Sequence, residues 1–252
     1  MTTLADIALA LSLPLAGING AGNDCPQDHA PYQLKWTANI ANERNASGLP
    51  TMAFATSPQG PALPVELKFG GPEHAFRFDS PRVSGNGGGE LTLEQRLHMH
   101  DEYTTTELLF NRQVSNLSMT IEDIDEDRSF TYPYADTIML GGWSKNLNSV
   151  IEPNIYQDGA TQEQNDARRD LRRRLGREDS LEVKPRASGP FDTKKWSSLE
   201  AVFPQPVSYV KMTFGSDADL FPPSHFSQSP GVQTIRVTDV KFCVPFGSRV
   251  GD

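Results

Sequence analysis

The chain is poor in several things at once. Of its 252 residues only two are cysteines, Cys25 and Cys243. No CxxC pair and no Cys/His cluster stands at zinc spacing, which argues against structural zinc. No apolar run reaches the roughly 18 residues that a membrane-spanning helix needs. Basic residues are in deficit, with 23 Lys and Arg against 32 Asp and Glu for a net charge of −9. That balance argues against a nucleic-acid partner. Motifs of nucleophilic and nucleotide chemistry are missing too: there is no Gly-x-Ser-x-Gly elbow, P-loop or dinucleotide fingerprint.

What is present points to strands. The 20 Gly and 19 Pro exceed what a helical bundle tolerates. Short apolar or alternating runs, separated by Gly, Pro, Asn and Asp, predict strands over 33–40, 51–56, 64–69, 75–79, 90–99, 105–112, 116–124, 136–140, 199–203, 208–214 and 233–244. Within 116–124, Leu117, Met119 and Ile121 alternate with Ser118, Thr120 and Glu122, giving one buried and one wet face. In 208–214 Val210, Met212 and Phe214 alternate with Lys211 and Thr213. The expected fold is an all-β, jelly-roll-like antiparallel β-sandwich.

Two of these stretches repeat each other. Glu107, Phe110, Val114, Ser115, Met119 and Thr120 recur as Glu200, Phe203, Val207, Ser208, Met212 and Thr213, at a constant offset of 93 residues. The spacing predicts two copies of a strand–tight turn–strand unit, with Pro204 and Pro206 in the second turn. One segment breaks the β pattern. Thr161-Gln162-Glu163-Gln164 is a capping box, Gly176 is a C-terminal stop, and six arginines crowd the region between and just after. A short arginine-rich helical insertion over about 161–177 is expected there, with a solvated face on which interleaved acids dilute the positive field.

Residues 1–22 read as a signal-like or N-terminal apolar segment. They hold Leu4 to Ala16 as an apolar stretch and small residues near Gly20, though with no basic lead. The expected organisation is this segment followed by a single β-sandwich domain over 23–252. An even cysteine count, one at each end, fits a Cys25–Cys243 disulfide in an oxidising compartment.

Three phrases in order, 110–124 (FNRQVSNLSMTIEDI), 202–214 (VFPQPVSYVKMTF) and 234–245 (TIRVTDVKFCVP), resemble the hallmarks of secreted bacterial, actinobacterial-type cell-surface β-sandwich domains of anchored or adhesin-like proteins. The resemblance covers roughly residues 91–245. It implies a jelly-roll-like module with a structural or adhesive role, secreted or displayed at the cell surface.

Four constellations carry chemistry. Asp123, Asp125 and Asp127 alternate on an extended segment, with Asp136 after a short excursion, and hard oxygen ligands of this kind suit calcium. The same segment tests a laminarinase-like Glu-x-Asp-x-Glu hydrolase strand, but its frame supplies Asp123-x-Asp125-x-Asp127 and not the paired glutamates. His98 and His100, beside Asp101 and Glu102, are a two-His-plus-carboxylate metal candidate. Trp143, Trp196 and Tyr134 are candidates to stack on a glycan, with Trp36 also considered. The leading expectation is a non-enzymatic extracellular structural or adhesive module, with a glycan or a surface protein as partner. The alternative is a carbohydrate-binding, lectin-like module assisted by calcium. A jelly-roll glycoside hydrolase stands third.

Overall fold

The computed structural model describes residues 25–36, 49–76, 81–84, 89–124, 126–127, 134–144, 150–157, 181–183, 197–216 and 230–247. Among these there is no helix; every regular element is a strand in an antiparallel ladder. The strands are β1 His29–Lys35, β2 Met52–Ser57, β3 Gly60–Gly70, β4 Arg82–Ser84, β5 Glu90–Arg96, β6 Tyr103–Ile124, β7 Glu126–Asp127, β8 Tyr134–Trp143, β9 Val150–Ile151, β10 Asn154–Gln157, β11 Leu181–Val183, β12 Ser197–Val202, β13 Val207–Ser216, β14 Val232–Val237 and β15 Lys241–Pro245. The arginine-rich insertion at 161–177 and the segment 1–22 lie outside the described residues.

β6 organises the molecule. At 22 residues it would run about 70 Å if straight, too far for one sheet to use. It bends instead, and Asn116 sits at the bend with φ 48°, a left-handed conformation that Asn tolerates better than most residues. The first half of β6 lies between β3 and β13. Its second half pairs with β12 on one side and with β15 and β14 on the other. From β15 the ladder continues through β1 and β2 to β3, which returns to the first half of β6. The two halves of the sandwich thus share one strand.

Two expected units change character here. Residues 105–112 and 116–124 are not the arms of a hairpin but one continuous strand. The stretch 233–244 is in turn two strands, β14 and β15, separated at Thr238–Val240. Likewise β12 and β13 do not pair with each other: β12 pairs with β10 and β6, and β13 with β8 and β6. The tight turn between them is a crossing from one half of the sandwich to the other. Prolines suit a crossing because residues there need not donate to a ladder.

The interior is continuous. Leu108, Phe110, Val114, Leu117, Met119 and Ile121 of β6 are buried together with Val210, Met212 and Phe214 of β13 and with Leu91, Ile138, Leu140, Phe203 and Phe242. Phe242 stacks on Tyr32 at 5.9 Å between ring centroids and meets Phe110 edge-on at 5.1 Å. Trp36 is 1% exposed and its indole N–H donates to the Thr238 carbonyl at 3.2 Å. The Cys25–Cys243 disulfide is formed, with Cα atoms 5.6 Å apart across 218 residues of sequence. It fastens the segment before β1 to β15, beside the β1–β15 ladder.

Candidate functional site

Alternation along β8, β13 and β6 separates the core from a wet face. On β13 Val210, Met212 and Phe214 turn inward, so Tyr209, Lys211, Thr213 and Gly215 turn outward. Register carries the same parity across the neighbours. Tyr209 lies between Trp143 and Leu109, Lys211 between Gly141 and Glu107, Thr213 between Met139 and Thr105, and Gly215 between Thr137 and Tyr103. Beyond β6, Glu66 pairs with Leu109 and Lys68 with Glu107. Four strands therefore present one ordered surface.

Its most structured part is an aromatic pair. Trp143 and Tyr209 are half-buried with ring centroids 4.8 Å apart and planes inclined by 36°. The sheet turns Trp143 outward because the preceding Gly142 faces the core. A Cβ on Gly142 would lie 2.6 Å from Cε1 of Phe203 and 2.8 Å from Cγ1 of Val207. The Ser208 hydroxyl donates to the Trp143 carbonyl at 3.3 Å, tying the strand end to β13. Next to the rings, Glu107 accepts a hydrogen bond from the Tyr209 hydroxyl. Burial pushes the Tyr209 phenol well above the usual tyrosine range, and the hydrogen bond to Glu107 and its charge push it further.

The charges of this face are neutralised within it. Lys211 Nζ lies 4.0 Å from Glu107 and Lys68 Nζ lies 3.4 Å from Glu66, all four side chains being partly exposed. The surface offers an apolar plane flanked by hydrogen-bond donors and acceptors of both signs, without a net charge from these pairs. Two open clefts elsewhere, of about 420 and 460 Å³, flank Tyr32. Each is lined by a single cation, Arg112 or Lys241, and by no acid among the described residues.

Of the four calcium candidates, the side chains of Asp123 and Asp136 are described, and each has its own partner. Asp123 (φ 72°) lies 3.3 Å from Arg236 Nε, which makes it an ion-pair partner at the end of β6. Asp136 is fully buried and accepts from Gln233 Nε2 at 2.9 Å. That bond belongs to an interior chain in which Gln95 Nε2 donates to Gln233 at 3.2 Å and the Thr104 hydroxyl donates to Gln95 at 2.8 Å. Asp125 and the side chain of Asp127 lie outside the described residues. Among the described residues no three His, Cys, Asp or Glu side chains gather as a metal site.

His98 and His100 part company, contrary to a shared metal site. His98 stacks on His74 at 3.6 Å, whereas His100 turns inward to Ser216 with Nδ1 at 2.9 Å from the hydroxyl. Glu102 holds the turn before β6 by accepting from His74 Nε2 at 3.1 Å and from the backbone N–H groups of His98 and Met99 at 2.7 and 3.2 Å. Partial burial works to raise its pKa, but these three hydrogen bonds together hold it below the usual glutamate range.

Of the expected stacking residues, Trp143 is on the face and Trp36 is in the core. Trp196 and the side chain of Tyr134 lie outside the described residues. Sequence reading missed Tyr209 and Glu107. The signal was available for Tyr209: it shares the parity of Lys211 and Thr213, the wet set of its strand.

No family model and no curated protein matches the chain. Among solved structures, similarity is found to the family 11 carbohydrate-binding module from Clostridium thermocellum in complex with a β-1,3-1,4-mixed-linked tetrasaccharide. The identity is 9%, the TM-score 0.32, and the match covers 84% of this chain and 95% of that one. A second similar structure is TmCBM61 in complex with β-1,4-galactotriose, at 11% identity and TM-score 0.28 over 71% and 88% of the two chains. A third is the enzymatically active domain of bacteriophage CBA120 tailspike protein 4, at 8% identity and TM-score 0.31 over 71% of this chain. The match spans 19% of the tailspike domain's length. At these scores none of the three supplies a residue-by-residue correspondence.

Proposed function

We propose that this protein is a non-catalytic, extracellular carbohydrate-binding module on a jelly-roll-like sandwich, and that it holds neutral glycans on the β8–β13–β6–β3 face. The observation that carries the reading is the Trp143–Tyr209 pair standing out of the sheet beside Glu107 and Lys211. A pyranose has one face of C–H groups and a rim of hydroxyls. The first is desolvated by an aromatic plane, and the second needs both donors and acceptors. Two internally paired charge couples supply both while giving a charged ligand no net attraction. This reading replaces the purely structural or adhesive role as the leading function. The disulfide agrees with an oxidising compartment outside the cytosol.

The test is a screen of the disulfide-intact protein against an array of neutral and acidic glycans, followed by calorimetry on the hits. Binding to a neutral glycan that falls at least about tenfold (1.4 kcal/mol) in Trp143→Ala is expected. The variant's thermal unfolding should stay close to that of the wild type. An array blank for neutral glycans, or hits indifferent to Trp143, would refute the reading. Release of shortened sugars by the wild type would refute its non-catalytic part.

A further inference from the structure

We infer that the binding face continues along the strands to Tyr103, so that its occupant is a chain of several sugar units rather than a single terminal sugar; this rests on the glycan reading above. Tyr103 opens β6 and is 53% exposed. It shares the parity of Glu107 and Leu109 and pairs with Gly215, as Leu109 pairs with Tyr209. Six residues of extended strand separate the two ends, a span of about 20 Å. Aromatic rings therefore stand at both ends of a single sheet face, the half-buried Trp143–Tyr209 pair at one and the exposed Tyr103 at the other.

The surface between them is low and polar. Gly215 contributes no side chain, and a Cβ there would lie 3.3 Å from Cβ of Tyr103. Across the strands Thr213 lies between Thr105 and Met139. Thr137, paired with Gly215 and outward by parity between the buried Asp136 and Ile138, is only 8% exposed. Its hydroxyl has no hydrogen-bond partner among the described residues. A buried hydroxyl without a partner costs free energy; rotation about the Thr137 Cα–Cβ bond turns it from its closed position to the trough beside Gly215, where a sugar hydroxyl satisfies it. Beneath this end, on the inner side of the same strands, Thr104, Gln95, Gln233 and Asp136 form the buried hydrogen-bonded chain. Such a chain fixes β5, β6, β8 and β14 against one another and keeps the trough preorganised.

The experiment is calorimetry with neutral gluco-, manno-, galacto- and xylo-oligosaccharides, each as disaccharide and as hexasaccharide, on wild type, Tyr103→Ala, Thr137→Val and Trp143→Ala. At least one hexasaccharide is expected to bind more tightly than its disaccharide. Tyr103→Ala should weaken that hexasaccharide about three- to tenfold and leave the disaccharide unchanged. Thr137→Val, which keeps the side chain's shape, should weaken the hexasaccharide by a similar factor. Trp143→Ala should lose both lengths. Equal affinity for both lengths, or a hexasaccharide insensitive to Tyr103 and Thr137 but lost with Trp143, overturns the extended trough and leaves the glycan reading standing. Failure of every sugar in the panel to bind overturns both.

Discussion

Tyr209 serves two neighbours at once. Its ring leans on Trp143, and its hydroxyl donates to Glu107. Both the burial of the phenol and the adjacent carboxylate oppose formation of a tyrosinate, so the native protein holds this proton where an unfolded chain, with a phenol pKa near 10, releases it. The sign follows directly. A group whose pKa is raised by folding contributes stability that is intact below about pH 10 and is lost as pH rises beyond it. Glu107→Gln removes the charge while preserving an acceptor, so the tyrosinate transition of Tyr209, followed by its ultraviolet difference spectrum, should move down. An unchanged transition would mean that Glu107 does not act on the phenol. Trp143 could be proposed from sequence because an aromatic after Gly141-Gly142 suggested an exposed edge. Thr137 could not, since nothing in a threonine's neighbours along the chain says whether its hydroxyl will find a partner across the sheet.

At the scale of elements, the repeated pattern in the sequence has a structural meaning different from the expected hairpins. β12 and β13 run antiparallel to β6 along nearly its whole length. Val202 pairs with Ser118, the Phe203 N–H donates to the Leu117 carbonyl, Val207 pairs with Val114, and Gly215 pairs with Tyr103. Two similar segments paired antiparallel are related by an approximate local two-fold axis near the Val114–Val207 pair, 93 positions apart, the registers on its two sides differing by two residues. Each strand bends as it crosses between the halves, so each must bury the same kind of residue at the same distance from its bend. Phe110 and Phe203, Leu117 and Val210, Met119 and Met212, and Ile121 and Phe214 are all buried accordingly. Alternation made these faces legible. The pairing was not, because a run of residues that crosses between sheets has the same local chemistry as one that turns back. Gly142 presses on this bend, and Gly142→Ala must push a methyl into Phe203 and Val207. Destabilisation of about 1–3 kcal/mol is expected, read as a lower urea midpoint with an unchanged slope. A neutral result would show that the contact relaxes freely.

For the whole molecule, the disulfide and the shared strand do separate work. β1 and β15 are held by a five-residue ladder from His29–Pro245 to Gln33–Lys241, so the native topology does not need the covalent link. The bond acts mainly on the unfolded chain, where a loop of 218 residues corresponds to at most about 5 kcal/mol in the chain-entropy model. The Cys25→Ala/Cys243→Ala protein should fold with the same far-ultraviolet spectrum and melt about 5–15 °C lower. Loss of folding altogether would show that the bond also holds native structure. The pairing was readable from cysteine number and placement, and the all-β class from turn chemistry and alternation. The proposed face was only partly readable, because it is assembled from β3, β6, β8 and β13, whose residues Glu66 and Lys211 lie 145 positions apart and meet only through register.

The central claim is that Trp143 and Tyr209 form the contact surface for a neutral glycan. The most direct measurement is the ¹H–¹⁵N spectrum of the tryptophan indole groups during titration with the tightest neutral oligosaccharide from the array. The Trp143 indole resonance should move progressively and saturably, while that of Trp36, buried and bonded to Thr238, stays in place. Saturable binding that leaves Trp143 unmoved, with the shifted backbone resonances lying at the clefts beside Arg112 or Lys241 instead, would contradict the account.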